Sequence, residues 1–369
     1  MVVFVVSKTR KFVKMLYNIG FVDRKFNNSK KCDLYFMEFD DKINFPLTSL
    51  NIELTNNCNL NCIHCYGSYG KPEKIYYFNY NNYLKLKNDF EKLNVKNISI
   101  TGGECTVNKD FFKIAEDVVK SGFNLWILTN SLNTDVIKKF VVNNKNFHFG
   151  IKVSLNGFEY EHNYIRGNVN SYNSVIDLLD FLKEFKNIKV CISTVLMKSN
   201  IDNYYNFKNF IYSKYPNFIH TFDFVFPSGQ ALIKNNTFSL KEISEINKKN
   251  FILRVPNNDA ADIGFRCTGG ITQCTIESDG NVKICNAAND DRFRFEYNVM
   301  EHDLKKVWED CGINIRYFRQ EKNKNNSTCL SCDYSSNCKS TNCRLMSFFY
   351  KGSEFGNSPL TCMLTKGDL

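Results

Sequence analysis

Ser49-Leu-Asn-Ile-Glu-Leu-Thr-Asn-Asn-Cys58-Asn-Leu-Asn-Cys62-Ile-His-Cys65 reads as a short strand, Ser49 to Leu54, running into a loop with three cysteines. The cysteines are spaced three residues, then two, at the C-terminal end of a strand. Open α/β sheets and barrels place their reactive groups at that edge. Three thiolates can hold three irons of a 4Fe–4S cube and leave the fourth iron open to an outside ligand. The other reading is a zinc ion closed by His64, which directly precedes Cys65 and is badly placed to share its metal.

Outward from this loop, short β-branched runs alternate with longer amphipathic ones. Further strands are expected at Asn97 to Thr101, Asn124 to Thr129, Phe147 to Leu155, Ile188 to Leu196 and Ile219 to Phe226. Helices are expected at Asn79 to Leu93, Lys109 to Ser121, Asn133 to Val142, Ser171 to Phe185 and Asp202 to Tyr212. Asn108 reads as the N-cap of the second helix, with Asp110 in its first turn. Strands separated by helices of this length form βαβ units, hence a parallel sheet. The fold class is α/β, a partial (β/α)6 barrel, because closure to eight units needs about 250 residues.

After Phe226 the rhythm breaks at Pro227-Ser228-Gly229 and the polar run Lys234 to Thr237. One amphipathic segment follows, Ser239 to Lys249, and from Cys267 the cysteines become dense. Regular structure is expected to be sparse there, as in a small domain held by metal rather than by a core. The domains expected are residues 1–46 as an N-terminal extension, 47–230 as the barrel, 231–266 as a bridge and 267–369 as the cysteine-rich domain. In the extension, Lys8 to Ile19 reads as a helix and Asp33 to Phe39 as a strand.

The 369 residues are 43% apolar and 23% charged, an ordinary globular composition, and six prolines exclude a Pro-rich linker. Lys and Arg number 48 against 38 Asp and Glu, a net +10 spread along the chain. That favours an acidic partner without forming a nucleic-acid stripe. Residues 1–7 carry too short an apolar run for an export signal, and no stretch approaches a membrane span. A cytoplasmic location follows as an expectation. In a reducing compartment, fifteen cysteines point to metal rather than disulfides.

The Cys-x3-Cys-x2-Cys loop resembles the signature of the radical S-adenosylmethionine (SAM) enzymes, and the resemblance extends downstream. Thr101-Gly102-Gly103-Glu104 resembles the family's Gly-Gly-Glu motif, which implies that Gly102, Gly103 and Glu104 bind the SAM amino group; Cys105 stands where many relatives have Pro. Leu128-Thr129-Asn130-Ser131 is similar to the Thr-Asn-Gly segment, which places Asn130 at the cofactor. Ser154-Leu155-Asn156-Gly157 is similar to Ser-Leu-Asp-Gly, whose Ser contacts the SAM ribose or carboxylate. Arg166, in Ile165-Arg166-Gly167, would pair with the SAM carboxylate, for which a guanidinium is apt. Backbone near Leu196 would meet adenine.

Cys267, Gly280-x4-Cys285 and Cys329-x2-Cys332-x5-Cys338 resemble the SPASM extension, which houses two auxiliary 4Fe–4S clusters. The resemblance assigns Cys267, Cys285 and Cys343 to the first, and Cys329, Cys332, Cys338 and Cys362 to the second. Between Cys338 and Cys343 there are four residues where the family has three, a departure from the pattern at those two positions. Cys274 is a further candidate ligand of the first cluster, and a zinc ribbon is the competing reading of the domain.

In the family, the open iron chelates SAM, and an electron from the reduced cluster releases a 5′-deoxyadenosyl radical that abstracts hydrogen. SPASM relatives act mostly on peptides, which implies a substrate with a leader sequence, a thioether or carbon–carbon cross-link, and a flavodoxin or ferredoxin as electron donor. Neither membrane nor nucleic acid is expected as a partner. The alternative is sulfatase maturation, but Asn286 stands where that reaction's Asp is expected, and an amide cannot accept the proton. An electron-transfer or scaffold protein would keep the cysteines yet have no use for Gly102, Gly103, Glu104 or Arg166. No residue is singled out as the catalytic base.

Overall fold

A computed structural model describes residues 45–248, 267–319, 343–354, 358 and 362. The helix and strand expected before residue 45, and Cys32, Cys329, Cys332 and Cys338, lie outside the described residues.

One sheet organises the chain, in the order β6-β5-β4-β3-β2-β1-β7-β8. The strands are β1 (Ser49–Glu53), β2 (Asn97–Thr101), β3 (Asn124–Thr129), β4 (Phe149–Ser154), β5 (Ile188–Leu196), β6 (Ile219–Phe224), β7 (Gln273–Ile276) and β8 (Val282–Lys283). β1 to β6 pair in parallel in chain order, as six βα units require. Leu50, Ile52, Ile98, Ile100, Leu125, Ile127, Ile151 and Val153 alternate onto the helix-covered face and are buried in a single core. The opposite, concave face carries the polar side chains Asn51, Glu53, Thr101, Lys152, Ser154, Ser193, Thr221 and Asp223, interleaved with Trp126, Leu128, Cys191 and Val195. Period-two alternation therefore separates the packing face from the working face.

Three expectations change. The helix over Asn79 to Leu93 divides into Tyr80–Lys87 and Phe90–Leu93, broken at Asn88-Asp89. Asn108 does not cap the following helix, Phe111–Lys120, which starts after Asp110. Its side-chain amide instead donates to the carbonyls of Leu54 (2.7 Å) and Phe78 (2.9 Å), pinning the end of β1. The region after Cys267 does have a core. β7 pairs with β1 in parallel and β8 returns antiparallel, while Ile276, Val282, Ile284, Phe293 and Trp308 join the barrel's own core. The physical reason is edge protection: β1 would otherwise expose a row of unpaired N–H and C=O groups. The helix Glu159–Arg166, which the periodicity did not reveal, carries Arg166 in its last turn. Among the described residues, no helix is long and apolar enough to cross a membrane.

Asp117 ties the first helices together, accepting hydrogen bonds from Tyr80 (3.2 Å), Tyr83 (2.7 Å) and Lys87. Burial pushes its carboxyl up, but the Lys87 and Tyr83 bonds and the Lys87 charge outweigh it and hold the pKa below the ordinary value. A depressed carboxyl contributes stability above its unfolded pKa of about 4 and loses it as pH falls through the folded value. Asp117→Asn is expected to cost about 1–2 kcal/mol in urea unfolding at pH 7. The gap between wild type and variant should narrow below about pH 4. Equal stability at pH 7 would contradict this role.

Candidate SAM and iron–sulfur site

The loop after β1 is shaped by two glycines across from it. Gly102 has φ +134°, and a Cβ there would lie 2.3 Å from the Thr55 carbonyl oxygen. A Cβ on Gly103 would lie 2.2 Å from the Asn57 oxygen. The bare backbones meet instead: Gly103 N–H donates to Thr55 O (2.7 Å) and Glu104 N–H to Asn57 O (3.0 Å). The Gly-Gly pair thus fixes the entrance to Cys58.

Cys58, Cys62 and Cys65 are brought together closely enough to influence one another's ionisation. Burial first pushes the Cys58 thiol up to about 12, and it raises Cys65 as well. Donors aim at all three sulfurs: the Leu60 N–H at Cys58, and those of Tyr69, Gly67 and Ser68 at Cys65. Asn130 Nδ2 lies 3.6 Å from Cys58 Sγ, and Arg166 Nη1 lies 3.5 Å from Cys62 Sγ. Buried sulfurs ringed by donors favour thiolate once a metal supplies positive charge. Among the described residues, no three His, Cys, Asp or Glu side chains converge tightly enough to grip a single ion.

Glu104 is buried, and both of its carboxylate oxygens accept hydrogen bonds. Its Oε1 accepts from Thr106 Oγ1 (2.7 Å), Thr129 Oγ1 (3.0 Å) and Thr106 N–H (3.2 Å), and its Oε2 accepts from Asn130 N–H (2.8 Å). A carboxylate oxygen with one partner retains capacity for an ammonium, so Oε2 can still receive one. Asn130 donates its side-chain amide to Asn59 Oδ1 (2.8 Å) within the cysteine loop. Arg166 is buried, and its Nε has no hydrogen-bond partner. An unpaired buried guanidinium N–H beside the cysteine loop fits a carboxylate ligand. Ser154 stands at the concave end of β4, in register with Ser193. Leu196 packs in the core, and its carbonyl accepts from Val225 N–H (2.8 Å). His64 is half-buried near Arg166, with withdrawal of the ring from water first and the guanidinium second holding its pKa near 3, so the ring is neutral.

A second group of sulfurs forms 200 residues along the chain. Cys285 and Cys343 are each pushed up to about 12 by burial, with Cys267 near both, despite the lengthened spacing before Cys343. The N–H groups of Met346 and Leu345 aim at Cys343, which caps the helix Arg344–Lys351. Cys274 lies elsewhere, on β7 opposite Leu50, buried in the core. Burial raises its thiol, and the nearest charge is Arg319. Ser358 O accepts the Cys362 N–H (3.0 Å), and the cysteines expected to share its cluster lie outside the described residues.

Two features escaped the sequence reading. Thr129 and Asn59 hold Glu104 and Asn130, and the motif residues on either side were the available signal. The second is a buried Lys283–Glu53 pair at 3.1 Å, to which no local pattern points.

A sheet of this order with two cysteine groups defines an iron–sulfur α/β enzyme scaffold. Residues 52–211 match the radical SAM superfamily model, and 267–333 match the SPASM iron–sulfur cluster-binding domain. The sporulation killing factor maturation protein SkfB of Bacillus subtilis is 26% identical over 188 residues, covering 50% of this chain and 42% of SkfB. The mycofactocin maturase MftC of Mycobacterium tuberculosis is 21% identical over 343 residues, covering 85% of this chain and 82% of MftC. In fold, the chain resembles Streptococcus suis SuiB bound to precursor peptide SuiA, with TM-score 0.64, 19% identity, and 96% of this chain and 80% of SuiB covered. The chain thus contains a radical SAM domain over residues 52–211 and a SPASM domain over residues 267–333. Its cofactors are accordingly 4Fe–4S clusters and SAM.

Gly102→Ala tests the cradle. The added methyl should displace the loop, removing about four irons per chain and SAM binding together. Iron analysis and calorimetric SAM titration would read this, and undiminished iron with normal SAM affinity would refute it.

Proposed function

We propose that this chain is a peptide maturase that forms a thioether or carbon–carbon cross-link in a ribosomally made precursor. The reading rests on one observation above all. A second cysteine group, Cys267, Cys285 and Cys343, is built onto the same sheet that holds the Cys58–Cys65 loop. An enzyme that only cleaved SAM would need a single cluster, whereas cross-linking must also remove an electron from the substrate.

In this reading Cys58, Cys62 and Cys65 hold the SAM cluster, and Cys267, Cys285 and Cys343 hold the first auxiliary cluster. Cys329, Cys332, Cys338 and Cys362 hold the second. The core placement of Cys274 argues for a structural thiol. Bound SAM and reduced cluster supply a 5′-deoxyadenosyl radical. The chain's own task is to orient: Gly102, Gly103 and Glu104 receive the SAM amino group, Arg166 takes its carboxylate, and Asn130, Ser154 and the Leu196 backbone border the rest. Lys152 and Asp223 stand on the concave face, where a peptide would enter.

The names of SkfB and MftC and the precursor peptide bound to SuiB support this substrate class. A leader sequence on the precursor and a flavodoxin or ferredoxin as reductant complete the proposal. Sulfatase maturation is less well supported, because Asn286 offers an amide whose Oδ1 already accepts from Thr275 Oγ1 (2.9 Å).

Co-expression with short peptides encoded beside the gene, read by mass spectrometry, should give a product about 2 Da lighter, the loss of two hydrogens on cross-linking. Cys58→Ala should abolish 5′-deoxyadenosine release, whereas Cys285→Ala should retain release but lose the product. A Cys285→Ala enzyme that still cross-links would remove the basis for the reading.

A further inference from the structure

Lys283 is a lysine with no exposed surface, on the concave side of the β7–β8 hairpin. Its ammonium lies 3.1 Å from Glu53 Oε1 and 3.1 Å from Glu277 Oε1, and donates to Asn289 Oδ1 (3.3 Å). Arg294 pairs with Glu277 and, at the surface, with Asp291 (3.5 Å), so the Lys283 ammonium is balanced by Glu53 and Glu277 within a larger ion-pair network. A buried lysine kept charged needs such partners.

The contacts of this group lead to the SAM-cluster loop. Glu53 ends β1, and its Oε1 also accepts from Tyr69 OH (2.8 Å). The Tyr69 backbone N–H is one of the donors aimed at Cys65 Sγ, with those of Gly67 and Ser68. Asn289, four residues past Cys285, donates its amide to Tyr66 O (2.7 Å). Behind this turn, Gln230 N–H donates to Cys65 O (2.9 Å), and Gly229 leaves no room for a side chain against Cys65 O and Tyr66 O, each 2.4 Å from its would-be Cβ. The chain leaving Cys65 is therefore gripped from the C-terminal hairpin on one side and from residues 229–230 on the other.

We infer that Lys283 is a positioning residue that sets the reduction potential of the SAM cluster, holding Tyr69 through Glu53 so that the 67–69 N–H groups stay on the Cys65 sulfur. Hydrogen bonds to cluster sulfurs stabilise the reduced, more negative state and raise its potential. Losing them moves the potential down. The inference rests on Cys65 being a cluster ligand, and it ties reduction of the SAM cluster to the hairpin that carries Cys285.

The test is a potentiometric titration of the full-length, reconstituted enzyme, followed by electron paramagnetic resonance, on wild type, Lys283→Met, Lys283→Arg and Tyr69→Phe. Tyr69→Phe removes only the hydroxyl link and leaves the ion pair in place. It also separates the route through the loop from any direct effect of the Lys283 charge on an auxiliary cluster. The SAM-responsive signal should move to more negative potential in Tyr69→Phe and Lys283→Met at unchanged iron content, and return toward wild type in Lys283→Arg. If Lys283→Met fails to load iron, Tyr69→Phe decides. An unmoved SAM-responsive potential in Tyr69→Phe overturns the inference, while absence of that signal in the wild type would instead overturn the ligand assignment.

Discussion

The structure depends on β1 being hydrogen-bonded along both edges. β2 pairs with one side and β7 with the other, so Ser49–Glu53 is an interior parallel strand although it opens the barrel. An interior strand cannot slip without breaking two ladders and turning Leu50 and Ile52 out of the core. Its C-terminal end is therefore a fixed point, from which both the cysteine loop and the Glu53 carboxylate are displayed. Asn108 reinforces that point by taking the Leu54 carbonyl.

Electrostatics then divides the site into parts that require a ligand and parts that do not. The thiols of Cys58, Cys65 and Cys285 are withdrawn from water enough to be pushed up, and backbone N–H groups surround them, an arrangement suited to positive charge. Arg166 and its unpartnered Nε await negative charge. Glu104 differs: hydroxyls and backbone already satisfy most of its capacity, so it organises the loops that follow β2 and β3. The Lys283, Glu53, Glu277 and Arg294 group needs nothing from outside, as befits a strut rather than a binding site.

Much of this was legible in the sequence. Strand positions were readable because β-branched runs are short and bounded by helices of clear period, and the Asn97–Thr101, Asn124–Thr129 and Ile188–Leu196 limits agree at both ends. The Cys58–Cys65 loop and the Gly102-Gly103-Glu104 turn were readable because their chemistry is compressed into a few adjacent residues. The helix Glu159–Arg166 was hidden by exposed Tyr160 and Tyr164, which blur its apolar stripe. Asn108 misled because an Asn before a helix has a local and a distant use for its amide, and here the distant carbonyls prevailed.

By itself, the sequence determined the Cys58–Cys65 loop, the Gly102-Gly103-Glu104 turn and the strand ends that display them, since spacing along one chain fixes what a single loop can present. Only the tertiary structure decided that the C-terminal hairpin continues the barrel sheet, that Cys267, Cys285 and Cys343 meet while Cys274 is drawn into the core, and that Lys283 reaches Glu53. Contacts such as Asn289 to Tyr66 join residues 223 positions apart. No local period encodes such a pairing. It follows from the need to cover the open edge of β1 and to neutralise buried charge, and those demands arise once the chain has folded.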